Sequence, residues 1–163
     1  MKRFFCAFLS LFCIFSLCGC SAKKEYVDHI SCATLYEGIA EELDDGNQYL
    51  EFNSIHMETY FPNTDEYDDC YTVYSAAVND INEIGIFHAD GEYVAGIFEI
   101  CQTYIQDMRE NSRAFISSYA PDQLPRLDAA RVERFGNYVV YLILPEELSQ
   151  KVIDKIEDIL SED

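Results

Sequence analysis

The side chains best suited to moving protons near neutral pH are His29, His56 and His88, widely spaced along the chain. His88 has the most informative setting. It closes a run that reads as a strand, and Asp90 follows two residues later where a helix begins. A histidine beside a carboxylate is the starting point of general acid–base chemistry. The plainer reading is a surface histidine at an element boundary, because a working histidine needs a partner and a pocket. A second candidate is the run Asp65-Glu66-Tyr67-Asp68-Asp69, with Asn63 nearby. Asp65, Asp68 and Asp69 are the oxygen ligands it would offer to a weakly held calcium ion. The run departs from the calcium-loop template, since Tyr67 replaces a ligand and Cys70 stands where a glycine would turn the chain. A solvated acidic loop is the plainer reading. A third candidate is the set Tyr71, Tyr74, Tyr138 and Tyr141, all on predicted strands. Gathered on one uncovered sheet face they would make an amphipathic binding platform. Tyrosines on strands also serve as ordinary cross-strand packing. Serine-elbow, zinc-helix, P-loop and dinucleotide glycine patterns do not occur, so no catalytic residue and no cofactor is assigned.

The seven cysteines divide by position. Cys6, Cys13 and Cys18 fall in an N-terminal leader. That leader has a positive start at Lys2-Arg3, then an uncharged apolar run from Phe4 to Leu17, the pattern of a secretory signal. The run is short for a membrane-spanning helix, which needs about twenty apolar residues. Leu17-Cys18-Gly19-Cys20 resembles the lipobox of bacterial lipoproteins, with Cys18 a departure from the usual small residue. The resemblance implies cleavage before Cys20 and attachment of a diacylglyceryl group to its thiol. The plainer alternative is a secreted protein cut after Gly19. Several acyl chains on one cysteine would anchor the protein stably, at about 0.8 kcal/mol per buried methylene. The remaining Cys32, Cys70 and Cys101 are odd in number and form neither a disulfide framework nor a zinc pattern. A Cys32–Cys70 bridge stays open, and Cys101 reads as core.

Charge bounds the partners. Of eleven Lys and Arg, two leave with the leader, and the other nine face thirty Asp and Glu. Such a field repels nucleic-acid phosphate and anionic lipid headgroups, so a nucleic-acid partner is excluded, while cations, basic peptides and neutral ligands remain.

The elements that must position these residues follow from periodicity. The divisions expected are a signal peptide at 1–19, a lipidated tether at 20–25 and one α+β domain at 26–163. A helix is expected over Tyr26 to Leu43, and Tyr49 to Phe61 fits no single period. Tyr71 to Val78 and Glu83 to His88 read as strands. A long helix follows, capped by Asp90, with Val94, Ile97, Phe98, Cys101, Ile105 and Met108 in one stripe to about Ser117. Leu127 to Phe135 and Tyr138 to Leu144 read as strands about a Gly136-Asn137 turn. Pro145 opens a last helix with the stripe Leu148, Val152, Ile156 and Ile159 or Leu160. The order helix, then strand-strand-helix twice (ββαββα), predicts a four-stranded antiparallel sheet from two hairpins, with both long helices on one face.

Ile84-Gly85-Ile86-Phe87, Arg113, Phe115, Tyr119-Ala120-Pro121 and Gly136-Asn137-Tyr138-Val139-Val140 together resemble small Gram-positive bacterial lipoproteins that share one domain of unknown function. The resemblance covers most of Tyr26 to Ile159 and implies a fold without an established activity. The expectation is therefore a lipid-anchored domain on the extracytoplasmic face of the cell membrane. It would bind or scaffold another envelope protein or a peptide without covalent chemistry. The rivals are a cell-wall or peptide hydrolase using His88 and a calcium-responsive module.

Overall fold

The structure, a computed structural model, describes residues 24–43, 46–62 and 66–161. Cys20 and Asp65, two of the residues singled out above, lie outside these.

Five strands form one antiparallel sheet: β1 (Tyr49–Glu51), β2 (Asp69–Ser75), β3 (Glu83–His88), β4 (Arg131–Phe135) and β5 (Tyr138–Ile143), in the order β1-β2-β3-β5-β4. The two expected hairpins are present, β2–β3 and β4–β5, and they join through β3–β5, where Gly85 faces Tyr141 and His88 faces Tyr138. Gly136 turns the second hairpin at φ 60°, the positive angle that favours glycine. The expected four strands become five because Tyr49–Glu51 pairs at the edge of β2. The unreadable stretch 49–61 holds this three-residue strand and α2 (Ser54–Tyr60), each too short to display a period.

The layering corrects a second expectation. The two long helices lie on opposite faces. Ile84, Ile86, Tyr138, Val140 and Leu142 point to one side and pack with α1 (Cys32–Ile39) and α6 (Glu146–Ser161). Phe87, Val139, Tyr141 and Ile143 point to the other and pack with Phe61 and with α3 (Val94–Asp107). The reason is in the central strands: every residue of β5 is buried, so both faces must be covered.

Element ends also differ. The first helix begins at Cys32, not Tyr26, because the Ser31 side chain accepts from the Thr34 amide and caps it there. Residues 24–31 form a strap instead. Val27 N donates to Leu160 O at 2.8 Å, and the Tyr138 hydroxyl accepts from Ile30 N (3.0 Å) while donating to Ile30 O (2.7 Å). One phenol thus satisfies both backbone groups that a helix would have used. Leu124–Ala129 is a helix, α5, with proline in its first turn, so the third expected strand starts only at Arg131. α3 starts at Val94 with Tyr93 at its cap and no side-chain cap bond, so the Asp90 side chain does not take the role foreseen for it.

The helix expected to reach Ser117 contains one π turn, Met108–Ser112, before continuing as α4 (Arg113–Tyr119). Arg109 in that turn donates to the carbonyls of Leu127, Asp128 and Ala130 at the end of α5, and Arg113 forks onto the Asp128 carboxylate. Two arginines one helical turn apart thereby tie α4 to α5, which explains Arg113 structurally.

Candidate functional site

His88 has the carboxylate partners that acid–base chemistry would require. Its Nε2 lies 2.7 Å from Asp28 Oδ1 and its Nδ1 3.7 Å from Asp68 Oδ2. Its ring rests against that of Tyr138, centroids 4.7 Å apart. Asn137 donates to the other Asp28 oxygen at 2.9 Å. Asp28 belongs to the strap, so these bonds fasten residues 24–31 across the sheet end. Asp90, the neighbour singled out in the sequence, is not among the partners of His88. His56 lies on α2, and His29 is exposed on the strap.

The acidic run is divided. Asp69 Oδ2 accepts from the Cys32 amide at 2.6 Å, at the start of α1, while Asp68 faces His88. Among the described residues no group of three or more His, Cys, Asp or Glu side chains converges as a metal site.

The four tyrosines do not share a face. Tyr71 and Tyr138 lie on the α1/α6 side and Tyr74 and Tyr141 on the α3 side, with Tyr138 and Tyr141 wholly buried. Cys32, Cys70 and Cys101 are free thiols. Cys70 sits one residue beyond Asp69 and points to the opposite face of the sheet from Cys32, which rules out the bridge left open above. Burial pushes the Cys32 and Cys101 thiols well above their ordinary range, so they serve as core.

The feature with the properties of a binding site was not singled out in the sequence. It is a groove on the α3 side of the sheet. Its larger part, about 650 Å3, lies between α2 and α3 and ends at the π turn, where Met108, Asn111 and Ser112 line it. π turns inside helices recur at functional sites. A second cavity of about 280 Å3 adjoins it, sharing Tyr60, Tyr104 and Met108, and its lining includes Glu83. Five rings run along the walls in succession: Tyr104 to Tyr60 (5.3 Å), Tyr60 to His56 (6.3 Å), His56 to Tyr74 (6.3 Å), and Tyr74 to Phe52 (5.7 Å).

Glu83 is the chemically unusual member. It opens β3 on the α3 side and is only 7% exposed. The Tyr141 hydroxyl donates to Oε1 at 2.6 Å, and Tyr104 is a second hydrogen-bond partner. Burial pushes its pKa up to about 7, against the opposing pull of the two phenols. Both phenols are in turn pushed above their usual range, by burial and then by the adjacent carboxylate.

Tyr141 reaches Glu83 because its ring lies flat over Gly85. A Cβ at position 85 would stand 2.0 Å from Tyr141 Cε1. The glycine of Ile84-Gly85-Ile86-Phe87 is thus the space that the ring occupies. Beside it, Arg126 binds Asp80 Oδ1 (2.5 Å) and Asn82 Oδ1 (2.9 Å), and Asp80 also takes the Asn47 amide and the Ser75 hydroxyl. This network holds the β2–β3 turn, and so the position from which Glu83 enters the sheet.

Sequence reasoning missed Glu83 because a carboxylate at a strand end is normally solvated. The available signal was its place on the same face as Phe87 in a strand otherwise apolar.

No curated protein and no solved structure matches the chain. A family model, "Domain of unknown function (DUF4358)", matches residues 42–144, which take in all five strands, the groove, Glu83 and both of its phenol partners. The chain belongs to the DUF4358 family.

Proposed function

We propose that this protein is a lipid-anchored extracytoplasmic binding module that holds a partner segment or ligand in the α2–α3 groove without covalent chemistry. The observation that carries the binding reading is the groove itself. It is a concave surface walled by aromatic side chains, with a few converging polar groups and a carboxyl of displaced pKa at its inner end, the usual make-up of a ligand site. The address rests on the leader and on Cys20, with the resemblance to Gram-positive lipoproteins in support. Among the described residues no helix is long and apolar enough to cross a membrane; the attachment in this reading is the acylated Cys20.

Two measurements test this. Intact-mass analysis of the protein purified from membranes should show a diacylated Cys20 as the first residue, and Cys20→Ala should release the protein from the membrane. A photocrosslinking residue at Thr103, in the groove, should capture a partner that one at Lys155 on α6 does not. Identical patterns from both positions would count against the groove.

The hydrolase reading has one observation in its favour, the contact of His88 with Asp28. Those bonds hold the strap, however, and His88 lines neither cavity of the groove. The calcium reading is tested by melting the protein with calcium and with chelator.

A further inference from the structure

We infer that the inner end of the groove takes an organic ammonium group, with the Glu83 carboxylate as its counter-charge and the rings of Tyr60, Tyr74 and Tyr104 as its walls. This rests on the groove being the binding surface and names the chemistry it selects.

Three observations converge. First, the side chains lining both cavities include carboxylates but no lysine or arginine. Glu66, Glu99 and Asp107 line the larger cavity, and Asp80 and Glu83 the smaller. Asp80 is already paired with Arg126, which leaves Glu83 as the carboxyl of the cavity that has no cationic partner among the described residues. Second, the walls are electron-rich ring faces, which attract a cation by their quadrupole when it sits within about 6 Å of a ring centroid. Successive rings pack on one another, with centroids 5.3 to 6.3 Å apart, so a cation seated in the cavity that they line lies near more than one ring. Third, the site suits an organic cation better than a metal ion. A hard metal wants six or more oxygen ligands, whereas this cavity offers one carboxyl without a cationic partner, itself held by two phenols, in a wall made largely of aromatic rings. A strongly hydrated anion would meet a chain of net charge −19 and carboxylates at the rim.

The alkylammonium of a lysine side chain and that of a free diamine share this chemistry. Binding would be measured by calorimetry on the full chain in detergent. The probes are Nα-acetyl-lysine methylamide, 1,5-diaminopentane, and the neutral Nα-acetyl-norleucine methylamide, which keeps the four carbons of the lysine side chain and lacks its nitrogen. The lysine derivative should bind at least about tenfold more tightly than the norleucine one. A preference for it over the diamine identifies a peptide as the source, and the reverse a small amine; both outcomes support the ammonium assignment. Glu83→Gln should weaken amine binding about tenfold or more. Tyr60→Leu, at a position 46% exposed, should weaken it about fivefold without loss of the folded circular-dichroism spectrum.

Equal affinity for norleucine and lysine derivatives, or an unchanged affinity in Glu83→Gln, would overturn the ammonium assignment and leave the groove standing. Failure of all three probes, with the Thr103 crosslink still present, would do the same. Failure of the probes and the crosslink together would remove the groove reading as well.

Discussion

Replacing Glu83 with glutamine should make the protein more stable at pH 8 and leave it nearly unchanged at pH 5. The carboxyl is buried, and its pKa in the folded chain is about 7 against an ordinary 4.5. Between those values the native state holds a proton that the unfolded chain has released. Stability from this group is therefore complete below about pH 4.5 and is lost as pH climbs to about 7, then levels off. The displacement from 4.5 to about 7, at about 1.4 kcal/mol per pH unit, gives a full loss of about 3.5 kcal/mol, of which about 3 is reached by pH 8. Glutamine keeps the shape and still accepts from the Tyr141 hydroxyl, but cannot ionise. The chain has no tryptophan, so urea unfolding would be followed by circular dichroism at half-unit steps from pH 5 to pH 8. The many surface carboxylates repel one another equally in both proteins, so the difference between the curves isolates Glu83. That difference should grow to about 3 kcal/mol, or roughly 10 °C in melting temperature. A difference curve flat to within about 0.5 kcal/mol, or a variant less stable at pH 8, would refute the reasoning.

Other expectations are narrower. Gly85→Ala would drive a methyl into the Tyr141 ring, and the overpacking should cost about 3 kcal/mol in urea unfolding; a cost under about 1 would show that the ring moves aside freely. Tyr138→Phe removes the hydroxyl that serves both the N–H and the carbonyl of Ile30. It should cost about 1–2 kcal/mol and open residues 24–31 to limited proteolysis, whereas an unchanged digestion pattern would mean that the strap is held elsewhere. Arg126→Ala leaves the largely buried Asp80 carboxylate without its counter-ion and should destabilise by about 2–3 kcal/mol, read from the urea midpoint. Cys32 and Cys70 point to opposite sides of the sheet. Peptide mapping after mild oxidation should therefore find no peptide joining them, and recovery of such a peptide would contradict the strand register.

The parts of the fold that were legible in sequence are those where one rule acts alone. Tyr138 to Ile143 is an unbroken apolar run, and it is the wholly buried strand. Pro145 with Glu146 and Glu147 announces α6, whose buried residues follow the helical period. Gly136-Asn137 announces its turn. Legibility failed where tertiary contacts overrode local preference. Residues 26–31 carry a helical pattern, but Tyr138, more than a hundred positions away, takes the backbone bonds of Ile30, and Leu160 takes that of Val27. Leu127 to Ala129 reads as the start of a strand, whereas Pro125 in the first turn of α5 carries these residues into a helix. The helix stripes were read correctly, but a stripe does not say which side of a sheet it will cover. The site was the least visible part. Its members, Phe52, Tyr60, Glu83 and Tyr104, come from four separate segments, and no spacing rule connects them before the strand register is known.

The two-sided sheet bears on where this domain can be cut. The region shared with the family stops short of the first and last helices, which together roof one side of the sheet. A fragment trimmed to residues 42–144 would keep the groove but present Ile84, Ile86, Val140 and Leu142 bare to water. Such a fragment would be expected to cluster with its own copies through that naked side. The flanking helices are thus a condition for the shared region to exist as a separate molecule.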